Sequence, residues 1–211
     1  MGQDAAPVVA TDAQTGAATS ERVVAILESA CRVAVREGAH GLRMASVAQE
    51  AGVSKALVHY YFSTRQELLR SAFTFTESRW REAVADELQT LPTGRERVAR
   101  VLLASIDADP PFGDQRALWN EVWSSLRFDD ELQPLVAESY RTWLGQIADL
   151  VEEGRTDGSI PAEVDSSRAG PRLAAVGDGL DSMLYLGLID RDEARTLMLG
   201  SLERELGPAR S

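Results

Sequence analysis

The sequence predicts an all-helical protein with a small N-terminal head and a larger C-terminal bundle. Three observations carry this. Apolar residues recur at intervals of three and four through most of the chain, and no segment shows sustained strand alternation. The breaks between the periodic segments, "TLPTG", "DADPPFGD", "RFDD", "GRTDGSIP" and "GLIDRD", are rich in turn formers. A chain of 211 residues with 44% hydrophobic residues has enough apolar surface to bury a real core.

Met1 to Thr19 carries Ala, Gly, Thr and Gln without a periodic apolar face, so residues 1–19 read as a disordered tail. Order is expected from Ser20. Val23, Ile26, Leu27, Ala30, Val33 and Ala34 make one amphipathic helix to about Glu37, closed by Gly38. A short helix follows over Met44 to Ala51, and Gly52 supplies the backbone freedom at its end. Ser54 is placed to cap a third helix, Lys55 to Tyr61. Thr64 and Glu67 have capping-box spacing at the start of a long fourth helix that runs to about Gln89. Further helices are expected over Arg95–Ile106, Gln115–Leu126, Asp130–Glu153, Ser167–Leu188 and Asp192–Leu206. Pro171 implies that the Ser167 helix starts at Gly170 or is kinked there. The expected organisation is a tail (1–19), a three-helix head (20–67) and a body (68–207).

The net charge of −11 at first argues against a nucleic-acid partner, but residues 21–70 carry +2 and the remainder −13. The stretch "AGVSKALVHYYF" holds the chain's only lysine, Lys55, with His59, Tyr60 and Tyr61 close behind. Two short helices joined by a tight turn containing Gly52 match a helix-turn-helix, whose second helix enters the major groove of DNA. Val58 and Phe62 anchor that helix, which leaves Lys55, Ala56, His59 and Tyr60 to face outward. Lys55 can donate to phosphate or to guanine, and His59 and Tyr60 to phosphate or bases. Ala56 lets the backbone approach, and Leu57 suits a thymine methyl.

The segment from Arg22 to Leu69, with its "ILESA" first helix, Gly38, the "VAQEAGVSKALVHYYF" core and "STRQELL" opening the fourth helix, resembles the DNA-binding domain of the TetR family of bacterial transcriptional regulators. That resemblance implies DNA contacts at Lys55, Ala56, Leu57, His59, Tyr60 and Tyr61, and Ser54, which caps their helix, is expected to join them. Arg65 matches a position where a family lysine commonly holds phosphate, and its guanidinium suits bidentate contact. Leu42 and Arg43 stand where the family usually has Thr or Ser; Arg43 offers a charged contact in place of a hydroxyl, but the cap is lost. His59 replaces the usual tyrosine.

The resemblance further implies a body that dimerises and binds a small molecule. "LVEEGRTDGSIPAEVDSSRAGPRLAAVGDGL" is similar to the C-terminal domain of the choline-responsive repressor branch. Ten aromatics lie after residue 70, all four tryptophans among them. Trp119 and Trp123 share a helix face with Glu121 nearby, and Phe112, Tyr140, Trp143 and Tyr185 belong to the same bundle. Aromatics with a carboxylate make a cage for a lipophilic or cationic ligand; these tryptophans serve equally well as ordinary core. Asp178 and Asp181, at i and i+3, either complete a pocket or face solvent. The last two helices form the expected homodimer seam, Leu173, Val176, Leu180, Leu184 and Leu188 facing Ala194, Leu197, Met198, Ser201 and Leu202.

An enzyme is not expected. His40 and His59 are the only histidines, no phosphate-binding glycine loop or nucleophile elbow is present, and Cys31 sits among apolar residues with no base to activate it. No metal or cofactor is expected, nor a membrane span or export signal; the single cysteine fits a reducing cytoplasm. The expected activity is that of a homodimeric repressor that binds a double-stranded palindromic operator and is released by a small-molecule effector. The alternative is a nucleoid-associated protein of the same fold that acts through a protein partner without an inducer.

Overall fold

The computed structural model describes residues 11–107 and 112–208, with side chains described from Ser20 onward and, in the sixth helix, from Gln115 onward. The chain is all-helical, and no strand occurs among the described residues. The helices are α1 (Thr11–Glu37), α2 (Met44–Glu50), α3 (Lys55–Tyr61), α4 (Arg65–Leu88), α5 (Gly94–Ala104), α6 (Phe112–Ser125), α7 (Leu132–Thr156), α8 (Ser166–Tyr185) and α9 (Arg191–Leu206). A short 3-10 turn, Leu126–Phe128, follows α6. Helix α1 starts at Thr11, inside the stretch read as tail; residues 1–10 lie outside the described residues. Helix α8 begins at Ser166, before Gly170, and carries Pro171 inside it.

Two compact units divide within α4, after Phe73. In the first, Ile26, Ala30, Val33 and Ala34 of α1 are fully buried, as are Val47 of α2, Val58 of α3 and Leu68 of α4. The punctuation is physical. Gly38 and Gly52 adopt φ of 81° and 65°, the left-handed region that a side chain disfavours. The hydroxyl of Ser54 accepts from the Leu57 amide at 3.1 Å, and that of Thr64 from the Glu67 amide at 3.0 Å. Glu67 returns the bond one residue earlier than a standard capping box, accepting from the Ser63 amide at 2.7 Å. The buried Cys31 thiol meets the Ala72 carbonyl at 3.7 Å, an inert packing contact between α1 and α4.

In the second unit, α7 packs on α5 and α8, and α9 packs on α8 and α5. The core runs from Trp80 and Val84 of α4 through Val98, Val101, Ile147 and Val151 to Leu173 and Met198. The "GRTDGSIP" loop caps α5: the Asp157 carboxylate accepts from the Gly94 amide at 2.7 Å and the Ser159 hydroxyl from the Arg95 amide at 3.2 Å. Gly94 also marks the closest approach of two helices, because a Cβ there would lie 2.2 Å from the Gly154 nitrogen. Gly94→Ala must therefore part α5 from α7, and a loss of about 1–3 kcal/mol in urea unfolding is expected. At Gly145, where an added Cβ meets nothing within 4 Å, alanine is expected to be neutral or stabilising by about 0.5–1 kcal/mol. Equal effects at the two positions would contradict this packing.

The seam expected from the last two helices needs correction. Leu173, Leu180, Ala194, Met198 and Leu202 are buried inside their own unit, where α8 and α9 cover α5. The apolar side chains these helices and their connection leave exposed are Tyr185, Leu186, Leu188, Leu197 and Leu199.

Candidate nucleic-acid interface and ligand cavity

The helix-turn-helix comprises α2, the turn through Gly52, and α3. Lys55, Ala56, His59 and Tyr60 are exposed on α3, Tyr60 at 79%, while Val58 and Phe62 are buried beneath. Leu57 is half-buried and only partly available. Tyr61 is also half-buried, with its ring edge-on to Tyr60 at 5.0 Å and tilted against Phe62 at 6.5 Å. Ser54 spends its acceptor on the cap and keeps its O–H for donation. Arg43 stands at the N-cap of α2 in extended conformation with no side-chain cap bond. Arg32 and Arg36 are tied to Glu50 at 3.1 and 3.0 Å. Arg65 is more committed than its position implied: its Nη1 donates to the Ala39 and His40 carbonyls, both at 3.0 Å, and so pins the α1–α2 turn. Its other N–H groups take no part in these two bonds.

The second unit holds a cavity of about 380 Å3, lined from four helices and the end of α5. Helix α4 supplies Glu77 and Trp80, α6 supplies Gln115, Arg116, Trp119, Asn120 and Trp123, α7 supplies Ser139, Tyr140 and Trp143, and α8 supplies Asp178 and Asp181. The rings form a connected wall: Trp119 lies 6.5 Å from Trp123 and 6.4 Å from Tyr140, and Tyr140 lies 5.5 Å from Trp143. Trp123 is 60% exposed, which puts solvent access at its end of the wall.

Three carboxylates meet these rings in different states. Glu77, 6% exposed, accepts from Gln115 Nε2 at 2.7 Å, from Trp119 Nε1 at 2.6 Å, and from the Ser139 hydroxyl. Asp181 is paired with Arg116 at 2.8 Å. Among the described residues, Asp178 receives only the neutral Tyr140 hydroxyl, at 2.5 Å. Asp178 keeps accessible surface where it opens onto the cavity, yet crowding by protein pushes its carboxyl above the usual range. The Tyr140 bond pulls the other way and nearby Asp181 adds to the rise. Burial and the Asp178 charge in turn push the Tyr140 phenol well up, so it stays a neutral donor.

Of the residues expected to bind ligand, Trp119, Trp123, Tyr140, Trp143 and Asp178 line this one cavity. Glu121 and Tyr185 do not, and Tyr185 is 75% exposed. The Phe112 side chain lies outside the described residues. Sequence reasoning missed Glu77, although it falls on the buried stripe Phe73, Glu77, Trp80, Val84; a carboxylate on such a stripe is the signal that finds it. Among the described residues no group of His, Cys, Asp or Glu is placed to hold a metal, and no helix is long and apolar enough to cross a membrane.

Residues 26–72 match the family described as bacterial regulatory proteins, tetR family, and residues 92–207 match BetI-type transcriptional repressor, C-terminal. The chain belongs to the TetR family. It is a DNA-binding transcriptional regulator with a BetI-type C-terminal domain, and not an enzyme. This TetR-family chain is 30% identical over 145 residues to the HTH-type transcriptional regulator BetI of Escherichia coli (strain K12), covering 68% of this chain and 71% of that one. It is 29% identical over 112 residues to BetI of Rhizobium meliloti (strain 1021), a match that spans 53% of this chain and only 55% of that protein. Among solved structures, a transcriptional regulator from Saccharomonospora viridis in complex with choline superposes with a TM-score of 0.81 at 26% identity, covering 89% of this chain and 98% of that one. A TetR-family regulator from Rhodococcus sp. gives 0.79 at 28% identity, covering 89% and 100%.

Proposed function

We propose that this regulator is a homodimeric repressor whose hold on a palindromic operator is released by a small organic cation of the choline type. The observation that carries the reading is the pairing of an aromatic wall, Trp119, Tyr140 and Trp143, with Asp178, a carboxylate that forms no ion pair with any cation among the described residues. A quaternary ammonium fits such a site because it is attracted by ring faces and by a charge but has no proton to donate. The Saccharomonospora viridis relative, crystallised with choline, supports it. The cavity also weighs against a partner-driven nucleoid protein, which needs no such space.

Dimerisation through α8 and α9 is supported by the exposed apolar group Tyr185, Leu186, Leu188, Leu197 and Leu199. A two-fold dimer presents two copies of α3 to major grooves about 34 Å apart, hence the palindrome. Helix α4 is continuous from Arg65, in the DNA-binding unit, to Glu77 and Trp80 in the cavity wall. A ligand that prefers one placement of α4 lowers DNA affinity by the same coupling free energy. The protein then acts in the bacterial cytoplasm, on the nucleoid when DNA-bound.

The test is a selection from random duplex DNA at physiological salt, since non-specific binding is strongly salt-dependent. Recovery of a single palindrome, lost from the bound pool when choline is added, is the expected result. No enriched sequence, or enrichment indifferent to choline, would contradict the proposal.

A further inference from the structure

Packing explains the place of Glu77 on the cavity wall but not its charge. The side chain is 6% exposed and ties α4 to two other helices: its carboxylate accepts from Gln115 Nε2 at 2.7 Å and Trp119 Nε1 at 2.6 Å, both on α6, and from the Ser139 hydroxyl of α7. All these donors are neutral. Among the described residues no cation forms an ion pair with it. Arg81, one turn along α4, gives its Nε to the Glu77 main-chain carbonyl at 3.3 Å, and Arg116 is paired with Asp181 at 2.8 Å.

A glutamine would serve the same tether. Gln115 and Trp119 both meet the one oxygen Oε1, which an amide also supplies, and an amide nitrogen can donate to Ser139, whose hydroxyl accepts as well as it donates. A carboxylate is far harder to desolvate than an amide, so a buried charge that the tether does not require calls for another use. The cavity supplies one, because Glu77 lines it beside Trp119. A quaternary ammonium has no N–H to donate and so needs no free lone pair on Glu77. It responds to the charge itself, which a low-dielectric wall screens weakly.

We infer that Glu77 is a second counter-ion of the cavity and sets its preference for cations over neutral molecules of the same shape. Glu77 acts from α4 at the Trp119 end of the ring wall, as Asp178 acts from α8 at the Tyr140 end. The ligand cation lies over these two rings, 6.4 Å apart, with an acid bonded to each. The inference rests on the cation reading of the cavity and goes beyond it by dividing the specificity between two acids on different helices.

The experiment is calorimetric titration of the intact protein with choline and with its uncharged carbon isostere, in which a tert-butyl group replaces the trimethylammonium. The readout is the ratio of the two affinities, which a change in cavity shape alone does not move. In Glu77→Gln the ratio is expected to fall about tenfold, with the affinity for the isostere kept within about threefold. Glu77→Asp keeps the charge but shortens its reach to the donors, and is expected to retain most of the ratio. In Asp178→Asn the ratio should shrink but persist, because Glu77 remains; this arm does not depend on the folding of a Glu77 variant. A ratio unchanged in Glu77→Gln, a loss in Glu77→Asp as large as in Glu77→Gln, or a ratio abolished in Asp178→Asn would overturn the inference and leave Asp178 as the counter-ion. If the parent itself binds choline no better than the isostere, the cation reading falls with it.

Discussion

Replacing both Lys55 and Tyr60 with alanine is expected to abolish sequence-specific DNA binding while leaving the fold and the cavity as they are. Both side chains are exposed on α3, and neither is part of the core that Val58 and Phe62 build beneath them. Cutting them costs the fold only the edge-on contact of Tyr60 with Tyr61. What is lost is a cation that reaches phosphate or guanine and a hydroxyl at the end of a rigid ring. Each good base contact is worth about 1–3 kcal/mol, and in a dimer each is lost twice. The operator affinity should therefore fall by about a thousandfold or more and approach non-specific binding. Fluorescence anisotropy on the selected operator measures it, with circular dichroism as the control for folding. Retention of operator affinity within about tenfold would place the recognition surface elsewhere than on α3.

Asp178→Asn is expected to cost the response to organic cations about tenfold to a hundredfold in affinity, without unfolding the chain. The amide oxygen still accepts the Tyr140 hydroxyl, so the geometry of the rings is kept; only the charge goes. The pH dependence follows from the sign of the shift. The Asp178 carboxyl is held above its ordinary range, chiefly by desolvation. The folded state therefore keeps its proton at pH values where the unfolded chain has released it. Ionising Asp178 thus costs stability, a cost that appears as pH rises through the folded pKa and is absent below the unfolded one. Cation binding requires the ionised form. Choline affinity should accordingly decline as pH falls, beginning above the usual carboxylate range of about 4, and the decline should be absent in Asp178→Asn. The variant should also be at least as stable as the parent at neutral pH. Thermal unfolding with and without choline reads both effects, and an unchanged choline shift in the variant would remove Asp178 as the counter-ion.

Much of the fold was legible because its boundaries are set by local chemistry. Ser54, Thr64, Gly38 and Gly52 each do in the structure what their residue types do in short peptides: cap, or turn left-handed. The seam was harder for a reason intrinsic to periodicity. An apolar stripe shows which face of a helix is covered but not whether its own chain or a second copy covers it, and Met198 and Leu202 proved to face their own unit. The cavity shows the same limit. Trp119, Trp123, Tyr140 and Trp143 stood out because large rings with an acid nearby are few, but Glu121 was included for being a sequence neighbour of the tryptophans. Two residues along a helix from Trp119 turns it to nearly the opposite side. The carboxylate that meets Trp119 is Glu77 of α4; its place on the buried stripe of α4 marks it as a buried acid, but its partner on α6 is set by tertiary packing.

The most direct measurement is the operator affinity of the intact regulator at fixed salt, with and without saturating choline. Choline is expected to weaken DNA binding at least tenfold, and operator DNA to weaken choline binding by the same factor, as linkage requires. Choline that saturates the cavity while operator affinity stays unchanged would contradict it.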